Sequence, residues 1–160
     1  MMKLQDKINA CKHLYLRSLS EPRDNCLRIV FEEATLVRAN AKDLKLGKDV
    51  MSEVGAIASD STCSLFEIIW PSYVIYSVRN ESFSCNDETE KWEGRLLCLY
   101  SKSHFLDYAQ KATIACDAHP GPLKHWGINC LNHTIDVISY VEPEFTILSR
   151  QVDQSDKNAG

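Results

Sequence analysis

The chain lacks an excess of basic residues and lacks long apolar runs. Its 160 residues include 18 Lys and Arg against 22 Asp and Glu, a formal net charge of −4. Proteins that bind nucleic acids usually carry a basic stripe that replaces the counterions of the phosphates, whereas here the basic residues are interleaved with acids. We therefore expect no direct binding of nucleic acid. No apolar run approaches the roughly 20 residues that a helix needs to span a bilayer, so we also expect no insertion into a membrane.

Short motifs with known catalytic chemistry are missing as well. The sequence contains no G-x-S-x-G, no H-E-x-x-H, no P-loop and no G-x-G-x-x-G. Glu67, within "LFEIIW", could act as a general acid among its apolar neighbours, but a solvent-facing position on a half-exposed strand is the interpretation that we favour. The sequence therefore predicts a protein that is not an enzyme and that uses no cofactor.

Cysteine is present in an odd number, seven, which fits free thiols better than a disulfide framework. Most of these cysteines stand among apolar residues, as Cys98 does in "LLCLY", so we expect them to be buried as small apolar side chains. The N-terminal stretch "MMKLQDKINACKHLYLRSL" is charged throughout and has no apolar segment of the kind that a secretory signal carries. These features together predict a cytoplasmic protein.

Length and residue spacing predict one domain at residues 1–150, followed by a flexible polar tail at 151–160. Apolar residues at helical spacing predict an amphipathic N-terminal helix over residues 2–19. A second helix is predicted near 103–115, where Ser103 or the nearby Ser101 would cap its N-terminus.

Alternating apolar residues predict strands in the rest of the chain. In "CLRIVFEEATLVR" one face carries Leu27, Ile29 and Phe31. The alternation in "CSLFEIIWPSYVIYSVRN" continues through Pro71, which favours one long kinked strand over a tight hairpin. The remaining strands are predicted in "RLLCLYS", which should be internal, in "KHWGINCLNHTIDVISYV" and in "EFTIL".

The order α-β-β-β-α-β-β predicts an α+β domain: a single, mostly antiparallel twisted sheet of about five strands with both helices packed on it. Residues 39–62 are mixed and polar and are predicted to form a loop.

Two Cys-x2-His pairs, Cys116 with His119 and Cys130 with His133, raise the question of a zinc site. Zinc takes four N or S ligands at tetrahedral corners, and such pairs usually come from tight turns. "CDAHPGP" could turn sharply enough, but "INCLNHTIDV" has no Gly or Pro and indicates an extended strand, in which positions i and i+3 lie on opposite faces. We therefore predict no metal site. A metal- or thiol-dependent enzyme that uses these four residues is kept as the alternative.

An acidic stretch with one tryptophan is the best candidate for a binding surface. Such a loop is usually only a solvated connection, but it could also steer a basic partner toward the protein, with the indole as an anchor. A second acidic turn lies in "EPE". The candidate partner-binding residues are Asp87, Glu88, Glu90, Trp92, Glu93, Glu142 and Glu144.

Three stretches within about residues 64–140 resemble blocks in a group of small bacterial proteins: "SYVIYSVRNESF", "GRLLCLYSKSHFLDY" and "CLNHTIDVIS". Those proteins are similar in size and character to immunity proteins of polymorphic-toxin and contact-dependent inhibition systems. The resemblance carries no motif of known chemistry and implies a cytosolic, non-catalytic bacterial binding protein.

The sequence therefore predicts a small acidic inhibitor. Its partner would be a toxin domain that has a basic surface, and the inhibitor would occlude the active site of that domain. A structural or small-ligand-binding subunit is a second alternative.

Overall fold

The computed structural model describes residues 3–37, 45–46, 49–50, 56–85 and 87–149. These residues form two α-helices, α1 (Leu4–Ala10) and α2 (His104–Ala112), and one 3-10 turn (Glu81–Phe83). The strands, in chain order, are β1 (His13–Arg23), β2 (Cys26–Val37), β3 (Lys45–Leu46), β4 (Asp49–Val50), β5 (Ala56–Ala58), β6 (Leu65–Trp70), β7 (Ile75–Asn80), β8 (Lys91–Glu93), β9 (Leu97–Lys102), β10 (Lys124–Asn129), β11 (His133–Ser139) and β12 (Glu144–Leu148).

The strands form two five-stranded antiparallel sheets. The first sheet has the order β1-β2-β6-β12, with β5 added beside β2, and the second has the order β7-β11-β10-β9-β8. A small ladder joins β3 to β4. The predicted class is confirmed, since the chain is a single α+β domain made mostly of antiparallel sheet with helices packed on it. The strands are divided between two sheets, however, where one sheet of about five strands was expected.

The two sheets share one hydrophobic core. The alternation predicted for β2 is confirmed, because Leu27, Ile29 and Phe31 are fully buried in that core. Ile135 and Val137 of β11 contribute to the same core from the second sheet. Successive side chains of a strand point to opposite faces of a sheet. The residues of β11 that alternate with Ile135 and Val137 therefore lie on the outer face of the second sheet, away from this core.

The N-terminal helix is shorter than predicted, because α1 ends at Ala10 and the chain continues as β1. Antiparallel pairing with β2 begins at His13, and a β-bulge between Leu16 and Ser18 shifts the register. The bulge adds one residue to the strand, so Leu16 and Leu19 both pack against the core although they are three residues apart. The predicted helical stripe had placed Tyr15 on the buried face instead of Leu16, and Tyr15 is 39% exposed on β1.

The prediction of one long strand kinked at Pro71 is wrong. Strand β6 ends at Trp70 in the first sheet, and β7 begins at Ile75 in the second. The four residues between them form the corner at which the chain changes sheets, anchored by the Val74 N–H, which donates to the carbonyl of Ile138 at 2.8 Å. Since the corner contains an even number of residues, the apolar alternation continues across it and hides the break.

The prediction that the segment around Cys130 is extended is also wrong. The Cys130 N–H donates to the carbonyl of His133 at 2.8 Å and closes a hairpin turn between β10 and β11. No Gly or Pro is needed, because β1 holds the turn: the side chain of Asn132 accepts from the N–H of Leu16 at 3.0 Å and donates to its carbonyl at 3.2 Å.

The remaining predictions are mostly confirmed where they can be compared. Strand β9 is internal and "EFTIL" forms β12. All seven cysteines are free thiols and five are buried, with Cys85 and Cys116 exposed. Glu67 is not solvent-facing but half-buried, and it pairs with Arg28 at 2.6 Å. The predicted tail at 151–160 lies outside the described residues. The predicted loop at 39–62 is wrong where it is described, because that part contains the short strands β3, β4 and β5, and β5 pairs with β2. In the described part of the chain, no helix has the length and apolar character needed to cross a membrane.

Candidate functional site

A cavity lies on the outer face of the second sheet. Strands β7 and β8 form the two opposite edges of this sheet, and the segment that connects them crosses the outer face. We call residues 81–85 and 87–90 of this segment the strap. The strap, helix α2 and the sheet enclose a cavity of about 570 Å³. This volume is within the range of about 300–1,000 Å³ that small-ligand sites occupy.

The strap is fixed at both ends by side-chain hydrogen bonds. Near its start, the hydroxyls of Ser84 and Thr134 are 2.8 Å apart, which ties the strap to β11. Near its end, Oδ2 of Asp87 is 2.7 Å from Nε2 of His104, and Oε1 of Glu90 accepts from the His104 N–H at 2.9 Å. His104 is the first residue of α2. The strap is therefore attached to both the sheet and the helix that enclose the cavity.

Local hydrogen bonds and charge shift the titration of the pair formed by Asp87 and His104. The side-chain hydroxyl of Thr89 and then His104 donate to the carboxylate, which lowers the pKa of Asp87 below its ordinary value of 3.8. In turn, the hydrogen bond to Asp87 and its negative charge raise the pKa of His104 above 6.5. Both shifts favour the ion pair.

Four side chains form one hydrogen-bonded chain, and three of them, Arg79, His125 and Asp136, line the cavity. The Ser103 hydroxyl is 2.7 Å from Nδ1 of His125, and Nε2 of His125 is 3.0 Å from Oδ1 of Asp136. The other oxygen of Asp136 accepts from Nη2 of Arg79 at 2.8 Å. If the His125 Nε2–H donates to Asp136 and the Ser103 hydroxyl donates to Nδ1, both ring nitrogens of the buried imidazole are satisfied.

The fold explains why these residues meet. Ser103 is the N-cap of α2, as predicted, since its hydroxyl oxygen accepts from the Leu106 N–H at 3.0 Å. The turn between β10 and β11 brings Asp136 opposite Gly127, next to His125 on the same outer face. Strand β7 pairs with β11 and supplies Arg79. Sequence reasoning missed the chain because it did not identify that turn, which is the one feature that makes His125 and Asp136 neighbours.

Ser103, His125 and Asp136 have the composition of a hydrolase triad, but all three side chains are almost completely buried. Their exposed fractions are 2%, 2% and 3%, and Ser103 does not line the cavity. The ring of Tyr100 stacks on His125 with centroids 4.2 Å apart and an interplanar angle of 15°. A nucleophile must reach its substrate, and the buried Ser103 hydroxyl instead connects α2 to the sheet through His125.

The aromatic ring over His125 is held in place by close packing. A Cβ added at Gly127 would lie 2.8 Å from Cε2 of Tyr100, so only a residue without a side chain fits beneath this ring. Burial raises the pKa of Tyr100 to about 12. Trp92 on β8 lies beside Tyr100 with centroids 5.6 Å apart, which extends the aromatic surface to the mouth of the cavity.

The predicted partner-binding residues divide into two groups. Asp87, Glu90 and Trp92 line the cavity, and the exposed Glu88 and Glu93 lie beside them. The other two residues are elsewhere. Glu142 forms an ion pair with Lys124, and Glu144 lies on β12 of the first sheet.

The structure does not bring the two Cys-x2-His pairs together. Cys116 and His119 exchange backbone hydrogen bonds in a turn before β10, whereas Cys130 and His133 follow it. The six residues of β10 span about 20 Å. Burial also raises the pKa of Cys130 to about 12, which disfavours the thiolate that binds metals. Among the described residues, no three or more His, Cys, Asp or Glu side chains are grouped so that they could hold a metal ion.

Comparisons of this chain with protein-family models, with curated proteins and with solved structures gave no match.

Proposed function

We propose that the protein is a non-catalytic binding inhibitor of the immunity-protein kind, which acts in the bacterial cytoplasm. It would bind a toxin domain that has a basic surface and would cover the active site of that domain. The contact surface is the strap together with β8. The distribution of charge supports this proposal most directly, and the burial of the hydrogen-bonded chain around His125 supports binding over catalysis.

The strap concentrates the charge of the whole protein. Residues 81–93 contain five carboxylates and one lysine, a net charge of −4, which equals the net charge of all 160 residues. The rest of the chain is therefore neutral on balance. A concentrated negative surface attracts a basic partner over distances of about 10 Å at moderate salt and speeds its association.

Aromatic side chains beside this charge give the surface an anchor. Trp92 is 41% exposed at the mouth of the cavity and Tyr108, on α2, is 55% exposed. Partly exposed Trp and Tyr side chains are enriched among the residues that dominate the energy of protein interfaces. Charge for rapid encounter and rings for close contact are thus combined on one side of the molecule.

The experiment that tests this function uses the toxin that we expect to be encoded immediately upstream of this chain in its host genome. Co-expression of the chain should restore the growth of cells that make the toxin. In vitro, the double variant Glu88→Lys/Glu93→Lys should slow association by about tenfold and flatten its dependence on salt.

The matched control is Asp24→Lys/Asp117→Lys, which makes the same change of charge at two exposed positions away from the strap. This control should associate at nearly the wild-type rate. Equal slowing by both double variants, or a toxin that the chain neither binds nor neutralises, would overturn the proposal.

A small-ligand-binding domain is the second candidate, and the volume of the cavity favours it. A ligand of that kind should remain bound during purification and be released on denaturation. Mass spectrometry of the native protein decides this: a stoichiometric added mass supports the second candidate, and the bare mass of the chain argues against it.

A further inference from the structure

The walls of the cavity suggest which part of a partner it receives. Two aromatic pairs form part of these walls, and Tyr100 and Phe105 also pack on the buried His125. The Trp92 and Tyr100 rings have centroids 5.6 Å apart, and the Phe105 and Tyr108 rings are nearly parallel, at 17°, with centroids 6.3 Å apart. All four rings line the cavity. Flat, electron-rich walls of this kind attract cations and planar groups.

The two cavity-lining carboxylates of the strap, Asp87 and Glu90, differ in the hydrogen bonds and ion pairs that they form within the protein. Asp87 accepts hydrogen bonds from Thr89 and is paired with the side chain of His104. Glu90 accepts only the backbone N–H of His104 among the hydrogen bonds of the described residues, and no Lys, Arg or His side chain there pairs with it. Glu90 is therefore a cavity-lining carboxylate that forms no ion pair with a described side chain, although its negative charge also acts on the nearby His104.

The two arginines that line the cavity do not offset this charge at its mouth. Arg79 is paired with the buried Asp136. Arg95 is directed toward the segment after α1, where its guanidinium donates to the carbonyls of Asn9, Cys11 and Lys12. Both arginines are thus engaged elsewhere, and neither forms an ion pair with Glu90.

We propose that the cavity receives an arginine side chain of the basic partner, with the guanidinium between the aromatic rings and hydrogen-bonded to Glu90. This inference rests on the proposed function and names the group that the surface recognises. A guanidinium is planar, so it stacks on aromatic faces and matches a carboxylate with two parallel N–H donors. A lysine ammonium is a compact point charge that does not offer this planar, two-donor contact. A cavity of about 570 Å³ leaves room for this group and its aliphatic stem.

The test titrates the isolated chain with N-acetyl-arginine amide and follows backbone amide shifts by NMR. Saturable shifts are expected at residues that line the cavity. N-acetyl-citrulline amide has nearly the same shape without the charge and should bind at least about tenfold more weakly, since about 1.4 kcal/mol of charge-assisted hydrogen bonding is lost. N-acetyl-lysine amide should also bind more weakly than the arginine derivative.

Variants locate the binding group. Glu90→Gln should weaken the binding of N-acetyl-arginine amide about tenfold, and Trp92→Leu should weaken it several-fold. The matched control is Asp107→Asn, which removes one exposed carboxylate of α2 that does not line the cavity, and it should bind like the wild type. Near-UV circular dichroism of each variant establishes that its fold is intact.

Equal binding of the arginine and citrulline derivatives, equal weakening by Glu90→Gln and Asp107→Asn, or preferential binding of inorganic phosphate would overturn the inference. Each of these outcomes leaves the proposed function standing if Glu88→Lys/Glu93→Lys still slows association with the toxin. Conversely, arginine binding without any effect of that double variant would preserve the cavity site and overturn the proposed function.

Discussion

At the scale of single residues, the pair formed by Asp87 and His104 controls how the strap meets α2. The pKa of Asp87 is lowered, so its contribution to stability is present above 3.8 and is lost as the pH falls through the lowered value. The pKa of His104 is raised, so its contribution is present below 6.5 and is lost as the pH rises through the raised value. The pair is therefore complete between pH 3.8 and 6.5 and weakens as the pH rises through the raised pKa of His104.

The titration of His104 provides a direct measurement of this pair. We expect the ring resonances of His104 to titrate with a midpoint above 6.5 in the wild-type protein. Asp87→Asn should move the midpoint down toward 6.5, because the hydrogen bond and the negative charge are both lost. Glu144→Gln, on the other sheet, serves as the control and should leave it unchanged. The same midpoint in wild type and Asp87→Asn would show that the pair does not form in solution.

At the scale of elements, one buried hydroxyl both caps helix α2 and links it to the second sheet. Ser103 both accepts from the Leu106 N–H and contacts His125, so one side chain begins the helix and attaches it to β10. Ala109, in the middle of α2, is fully buried. The position of α2, which forms one wall of the cavity, therefore depends on both polar and apolar contacts.

Ser103→Ala is expected to lower the free energy of unfolding by about 2–4 kcal/mol. Loss of an N-cap costs about 1 kcal/mol, and a buried ring nitrogen left without a partner costs about 1–3 kcal/mol. Urea denaturation measures the change. The control Ser101→Ala removes an exposed hydroxyl that donates to the Lys91 carbonyl and should cost less than about 0.5 kcal/mol. Equal costs for the two serines would contradict the role assigned to Ser103.

At the scale of the whole molecule, the two sheets depend on one core and should unfold together. Ile68 and Trp70 of the first sheet and Trp126 of the second belong to the same buried cluster. Neither sheet buries its inner face without the other, which is the condition for a cooperative transition in a domain of this size.

Ile68→Ala should therefore destabilise both sheets at once, by about 2–5 kcal/mol, because it opens a cavity at a fully buried position. Unfolding curves from far-UV circular dichroism and from tryptophan fluorescence should coincide before and after the substitution. Ile114→Ala, at a position that is 89% exposed, should change stability by less than about 0.5 kcal/mol. Separate transitions for the two probes would show that the sheets fold independently.

Local patterns in the sequence were sufficient for several features of the fold and the site. The alternation in β2 predicted the buried face at Leu27, Ile29 and Phe31, and the change of period after β9 predicted α2 with Ser103 as a candidate cap. These features depend on neighbours within a few residues, so spacing and side-chain chemistry determine them. The acidic stretch was also evident from the sequence, because charge is a property of composition.

Only the tertiary structure decided where these features meet. The bulge in β1, the change of sheet after Trp70 and the turn closed by Cys130 and His133 all depend on pairing with distant strands, which a local pattern does not encode. That turn places His125 beside Asp136. The strap crosses the outer face of the second sheet, and this places its acidic residues over a cavity. The sequence by itself determined which residues are apolar, charged or able to cap a helix. Long-range strand pairing decided which of them became neighbours, because a strand is stabilised by its partners more than by its own sequence.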